Sequence, residues 1–223
     1  IMPSLVGSEM CIRDSHWSNQ NKVKSDDLNN LINKTNYLSF VLREPNQNWQ
    51  DYQVILGDPM YVNGHYKFSK IFKNGVSSLR ILSKNLFAFQ KKNRNIKLHF
   101  DFFHGMGILD KAIDILDEKE RNDFRKFVNN SYSFNRENMF ICRSKKLMHE
   151  YFLSVFTWLK KCEEIFGFNL KGYAKTRIYT FLAERYLPYW FNKYSNPLIW
   201  PVFFFDTNKN KLKIENKLSF TKN

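Results

Sequence analysis

The hydrophobic positions of this chain change period along its length. Between 145 and 166, Leu147, Met148, Tyr151, Phe152, Val155, Phe156, Leu159 and Cys162 recur at three- and four-residue steps. Lys145, His149, Lys160, Lys161 and Glu164 take the opposite side, which is the pattern of an amphipathic surface helix. Ser144 offers a capping oxygen at its start, and Gly167 ends it. A second helical run spans 173–194 and carries Pro188 in its interior. The proline ring clashes with the carbonyl four residues earlier, so a bend at Glu184 and a freed backbone acceptor are expected. Residues 96–129 read as helix in two or three pieces, broken at Gly105-Met106-Gly107. Short β-rich runs occur at Tyr52–Leu56, Asn138–Cys142 and Trp200–Asp206, and Phe134–Glu137 reads as a loop. Near the start, Ser25 is placed to cap a short helix reaching Ile32. Residues 60–95 show no clear period. Alternating strands and helices without an internal repeat predict an α/β fold.

Composition narrows the class. The 223 residues suffice for a real core, removing about 70% of the unfolded surface from water. Hydrophobic residues at 43% and aromatics at 17% exclude intrinsic disorder. Three cysteines exclude a disulfide scaffold and fit a reduced, cytoplasmic setting. The net charge of +14 first suggests a nucleic-acid partner. However, 25 Asn stand against four Ala, a profile of AT-rich coding that supplies lysine without selecting for it. The charge is therefore read as bias and solvated surface, with a basic patch for phosphate-bearing ligands or anionic lipid as the alternative. The basic segment 207–223 reads as a polar tail.

Residues 1–15 form a unit of a different kind. They lack the basic start and uninterrupted apolar core of a signal peptide. Leu5 to Asp14 resemble the translation of a transposase-type sequencing adapter, ten residues in succession. The segment is therefore set aside from fold reasoning. On this reading the natural chain starts upstream, and residues 16–206 form a truncated domain expected to fold poorly alone. Its 54–56 and 139–142 strands are expected to show open edges.

Few residues carry chemistry by pattern alone. No P-loop, no G-x-G-x-x-G and no C-x-x-C occurs. Cys142 and Cys162 fall on apolar faces and read as core thiols. His99, Asp101 and His104 form H-x-D-x-x-H, but the spacing does not put all three on one helical face. Structural histidines and a metal site both remain open, with His104 also a possible substrate contact. Arg177, Phe181 and Glu184 share a helix face at i, i+4 and i+7, and Arg185 follows. That face is either a solvated charge surface or a site. As a site, Arg177 or Arg185 would hold Glu184 or a phosphate through forked hydrogen bonds.

Two stretches carry a family resemblance: Asn138-Met139-Phe140-Ile141 and Arg177-Ile178-Tyr179-Thr180-Phe181-Leu182-Ala183-Glu184-Arg185. They resemble N-M-F-I and R-x-x-[GA]-F-L-[AS]-E-R in a domain-of-unknown-function family from capsular and lipopolysaccharide gene clusters. Its members are presumed glycosyltransferases of the GT-A type. Asp51–Pro59 and Phe100–Ala112, with His104 and Asp110, look similar too, while Thr180 departs from the usual small residue.

The resemblance implies the C-terminal portion of a GT-A-like, Rossmann-like enzyme. Such an enzyme moves a sugar from a nucleotide-sugar donor to a glycan or lipid-linked acceptor, in the cytoplasm or at the inner membrane face. Glu184 is then the candidate base or acceptor-orienting group. Arg177 and Arg185 are candidates for the diphosphate or for holding Glu184, and Asn138, His104 and Asp110 for substrate contact. GT-A enzymes also carry a D-x-D that binds Mn²⁺ or Mg²⁺. No D-x-D occurs here, so the metal-binding and donor-binding half is expected upstream. The competing readings are a basic nucleic-acid-binding module, for which no motif is present, and a membrane-surface module using its lysines.

Overall fold

A computed structural model of the chain describes residues 15–62 and 94–205. The adapter-like segment up to 14, most of the unassigned 60–95 region and the 207–223 tail lie outside the described residues. In chain order the elements begin with β1 (Ser15–Trp17), α1 (Ser25–Leu31) and α2 (Tyr37–Phe40). A 3₁₀ turn at Gln47–Trp49 leads into β2 (Val54–Gly57) and β3 (Pro59–Tyr61). Three helices follow: α3 (Ile96–His104), α4 (Ile108–Asp114) and α5 (Glu118–Asn130). Then come β4 (Ser133–Asn135), β5 (Phe140–Cys142), α6 (Lys145–Phe166), α7 (Tyr173–Thr176), α8 (Ile178–Tyr194), β6 (Leu198–Trp200) and β7 (Val202–Phe204).

The fold is mixed α/β. Its described strands form three small sheets: β1 with β7, β5-β2-β6, and β3 with β4. In the central sheet β2 runs antiparallel to β5 and parallel to β6, with Ile55 opposite Ile141 and Leu56 opposite Ile199. The 54–56 strand is therefore paired on both sides and has no open edge, contrary to expectation. β5 and β6 are the edges of that sheet. All four residues of β2 are buried, as suits a central strand covered on both faces.

Local signals set most boundaries. Ser144 Oγ accepts the Leu147 N–H, and Gly167 closes α6 at a left-handed φ of 63°. The α3–α4 break falls at Gly105 and Gly107, both at positive φ, a conformation glycine adopts without Cβ strain. Asn95 and Asp117 cap α3 and α5 by accepting from Leu98 N–H and Glu120 N–H. Ser25 does not cap α1: Lys24 is the N-cap, and the Ser25 hydroxyl is drawn to Asp58 instead. The 173–194 helix is two pieces, parted at Arg177. Past that break, α8 runs unbroken through Pro188 to Tyr194. The 200–206 run is likewise two strands on either side of Pro201, which has no N–H for a ladder. The 138–142 strand starts only at Phe140.

The main core lies where α8 packs on α6, α5, α3 and β4. Nearly all of α8 from Ile178 to Phe191 is buried, so it is the central helix of the domain. Trp158 donates to the Ala112 carbonyl across α6 and α4 at 2.7 Å. Glu120 is buried and accepts from Tyr189, Tyr194 and Lys193, tying α5 to the end of α8. These three partners hold its carboxyl below the usual range against the opposing effect of burial.

Candidate functional site

The central helix carries a buried arginine, and the site is built around it. Arg185 is 1% exposed. Its guanidinium stands 3.9 Å from the Phe134 ring centre and 5.6 Å from that of Phe100, a cation–π cage. It pairs with the adjacent Glu184 carboxylate. Nη2 also lies 3.4 Å from His99 Nδ1 and 3.4 Å from His104 Nε2, both rings coming from α3. Burial, and then the Arg185 charge, push both histidines well below their ordinary pKa, so both are neutral. A neutral ring can turn its lone pair to the guanidinium, which places the His99 proton on Nε2 and the His104 proton on Nδ1. His104 also stacks on Phe181 with centroids 3.9 Å apart.

Glu184 faces two ways. One oxygen takes the Arg185 guanidinium. The other accepts the Glu137 backbone N–H at 2.7 Å. Glu137 and Asn138 have φ of 73° and 51°, two successive non-glycine residues in the left-handed region. Such residues cost roughly 1–2 kcal/mol each, with Asn the more tolerant, and persist only where their surroundings hold them. The Glu184 carboxylate is one holder. The Asn138 amide is the second, donating to the Thr180 carbonyl at 3.1 Å.

The turn so held borders a narrow cleft lined by Gly57, Asp58, Arg136, Glu137, Met139, Val202 and Phe204. The cleft lies at the carboxyl end of β2, beside the parallel β2–β6 pair. Arg136 stacks over Phe204 with its guanidinium carbon 4.4 Å from the ring centre. Asp58 accepts from the Ser25 hydroxyl and, at 3.3 Å, from the Ser25 and Val202 backbone N–H groups. Burial nevertheless raises its pKa. Asn135 donates its amide to the Gly57 carbonyl. A wider depression, lined by Asn19, Leu38, Ser39, Val41, Arg43 and Glu44, has only exposed charged groups and no buried polar cluster.

Of the residues singled out in the sequence, Glu184, Arg185, Asn138 and His104 come together. Arg177 stands at the α7–α8 break, 5.6 Å over Phe181, whose ring in turn stacks on His104. Asp110 does not join them. It pairs with Lys97 at 2.9 Å, and Lys97 also holds Asp101 at 2.6 Å. Asp101 in turn accepts the Gly107 N–H, so these residues staple the α3–α4 corner. The H-x-D-x-x-H residues are thereby divided: both imidazoles face Arg185, while Asp101 faces Lys97. Among the described residues no three His, Cys, Asp or Glu side chains are grouped to hold a metal ion. Asp58 fits a cation poorly, because its oxygens already accept from Ser25 and Val202. Cys162 is buried, with its thiol pushed up to about 12, as a core thiol should be.

Sequence reasoning missed Arg136, Glu137, Asp58 and the partnership of His99. The available signal was small: a charged Arg136-Glu137 pair directly before the N-M-F-I strand, and an aspartate closing the 54–57 strand.

This is a mixed α/β domain whose central helix buttresses a strained turn at the carboxyl end of a strand. Residues 59–196 match the domain of unknown function DUF4422, and the chain belongs to that family. No curated protein and no solved structure matches the chain.

Proposed function

We propose that the chain is a portion of a GT-A-like glycosyltransferase. It moves a sugar from a nucleotide-sugar donor to a glycan or lipid-linked acceptor in surface polysaccharide synthesis. The observation that carries this reading is the Glu137–Asn138 turn, held by Glu184 at the carboxyl end of β2. In α/β domains, ligands bind in the crevice outside the carboxyl ends of parallel strands. The two motifs that resemble the capsular and lipopolysaccharide family meet at this turn: N-M-F-I supplies Asn138, and the α8 motif supplies Glu184 and Arg185.

Glycosyl transfer needs a carboxylate near the acceptor hydroxyl and positive charge near the departing diphosphate. Two carboxylate residues, Asp58 and Glu137, line the cleft; Asp58 is held by Ser25 and Val202, so we assign the base to Glu137. Glu184 has both oxygens engaged and is the orienting group, acting through the turn. Arg185 is too deeply buried to reach a ligand and holds Glu184. Arg136, stacked on Phe204 at the cleft, supplies the positive charge. Asp58 is engaged by Ser25 and Val202, so this chain contributes positive charge through its side-chain cations, and the Mn²⁺ or Mg²⁺ of a GT-A enzyme would be held by residues outside this cleft.

The test is release of nucleoside diphosphate from a panel of UDP-, GDP-, ADP- and dTDP-sugars by the full-length protein that contains this chain and by its Glu137→Gln variant. Turnover with one donor, lowered about 10²–10⁴-fold in Glu137→Gln with the fold intact, is the expected result. No turnover and no nucleotide binding with any donor overturns the reading.

A further inference from the structure

One exposed flank of α6 carries no carboxylate along four turns. Lys145, His149, Leu153, Phe156 and Lys160 follow one another at steps of four, four, three and four residues, so they form a single stripe. All five are exposed, Leu153 at 62% and Phe156 at 38%. Phe156 stacks on half-buried Phe152 with centroids 5.6 Å apart, which widens the apolar centre. At 1.5 Å per residue the stripe is about 22 Å long. It is not the core face. That role belongs to Leu147, Tyr151, Val155, Trp158, Leu159 and Cys162, which are buried on the side of α6 that meets α8. Of the exposed carboxylates of the helix, Glu150 lies on the other flank beside Lys146, and Glu164 stands one turn beyond Lys160, past the end of the stripe.

We propose that this stripe docks the protein on an anionic phospholipid surface. Leu153 and Phe156 enter the headgroup layer, and Lys145 and Lys160 engage lipid phosphates from either end. Exposed apolar side chains bracketed by cations are the arrangement that lies in such an interface. Charge decides between a bilayer and a second copy of the chain. Antiparallel pairing of two stripes would set Lys145 against Lys160 of the partner, and parallel pairing would set each lysine against itself. Both arrangements oppose like charges, whereas an anionic bilayer complements the whole stripe and the +14 chain. Among the described residues no helix is long and apolar enough to cross a membrane, so this contact is peripheral. The inference stands independently of the transferase reading.

The experiment is co-sedimentation of the full chain with vesicles of phosphatidylcholine alone or with one-third phosphatidylserine. Binding is expected to the anionic vesicles only and to weaken with added salt. Each lysine at such a surface is worth about fivefold in partition. Lys145→Glu/Lys160→Glu should therefore cut binding by more than about tenfold, with an unchanged circular dichroism spectrum. Leu153→Ser/Phe156→Ser should also lower it about tenfold, and Lys146→Glu/Lys161→Glu on the other flank should cost less than either. Absent binding, equal loss from both flanks, or binding retained in both stripe variants overturns the proposal. So does a dimer that the stripe variants dissociate while vesicles are never bound.

Discussion

Replacing Glu184 with glutamine removes one charge and one acceptor oxygen from the centre of the site while keeping its size. Two costs follow. The Arg185 guanidinium, with 2% of its side chain exposed, loses its counter-charge. Removing one partner from a buried pair costs about 3–5 kcal/mol. That figure is an upper bound here, because Glu184 keeps 12% of its side-chain exposure and the two neutral imidazoles still face the guanidinium. The remaining amide oxygen of glutamine can serve Glu137 N–H or Arg185 but not both, which costs about 1 kcal/mol more. The expected total is about 2–4 kcal/mol. For a domain of this length that lowers Tm by roughly 5–15 °C.

Urea unfolding of the full chain, followed by circular dichroism, measures the loss. A second variant, Arg185→Met, closes the cycle: methionine can fill the Phe134–Phe100 cage without a charge to satisfy. If the pair acts as argued, Glu184→Gln/Arg185→Met is less destabilised than the sum of the single changes, by about 1–3 kcal/mol. A Glu184→Gln loss below about 1 kcal/mol, or strict additivity in the cycle, would refute the clamp.

Two further outcomes follow from the same geometry. His99 and His104 have folded pKa values well below the unfolded value near 6.5, lowered by burial first and by Arg185 second. The unfolded chain therefore takes up protons first as pH falls, so their contribution is complete above pH 6.5 and declines below it, by up to about 1.4 kcal/mol per pH unit for each ring. Asp58 has the opposite sign, because burial raises its pKa and its cost at neutral pH is relieved as pH falls. Urea midpoints should fall between pH 7 and 5 in the wild type and fall less in His99→Gln/His104→Gln; equal slopes would refute the assignment. Separately, a Cβ at Gly57 would meet Val202 Cγ2 at 3.0 Å, so Gly57→Ala should cost about 1 kcal/mol by pushing β7 off the end of β2. A stabilised Gly57→Ala in the same unfolding assay would show that this close approach is not required.

The features legible in the sequence are those fixed by neighbours along the chain. The Ser144 cap, the Gly167 stop and the break at Gly105–Gly107 each need only a local hydrogen bond or a positive φ. Where a distant partner competes, the local rule fails. Ser25 has the chemistry of an N-cap, but Asp58, 33 residues away, takes its hydroxyl. The capping position passes to Lys24.

The site shows the same division more sharply. Helical spacing grouped Arg177, Phe181 and Glu184, and Arg177 does lie over Phe181 from the α7–α8 break, but the carboxylate of Glu184 is taken by Arg185. Of the two arginines that the sequence offered as holders of Glu184, Arg185 is the one that pairs with it. In the fold Arg185 turns inward to two histidines 81 and 86 residues away, and Glu184 is left between a buried cation and a strained turn. No periodicity encodes that arrangement, since each member reads alone as an ordinary core or surface residue. It follows that α8 is both the centre of the core and the support of the cleft. A substitution there moves stability and ligand geometry together. A change at the rim, such as Glu137→Gln, keeps the hydrogen bond of the clamp, because Glu184 accepts from the backbone N–H of Glu137, and it weakens only the attraction between the Glu137 charge and Arg185.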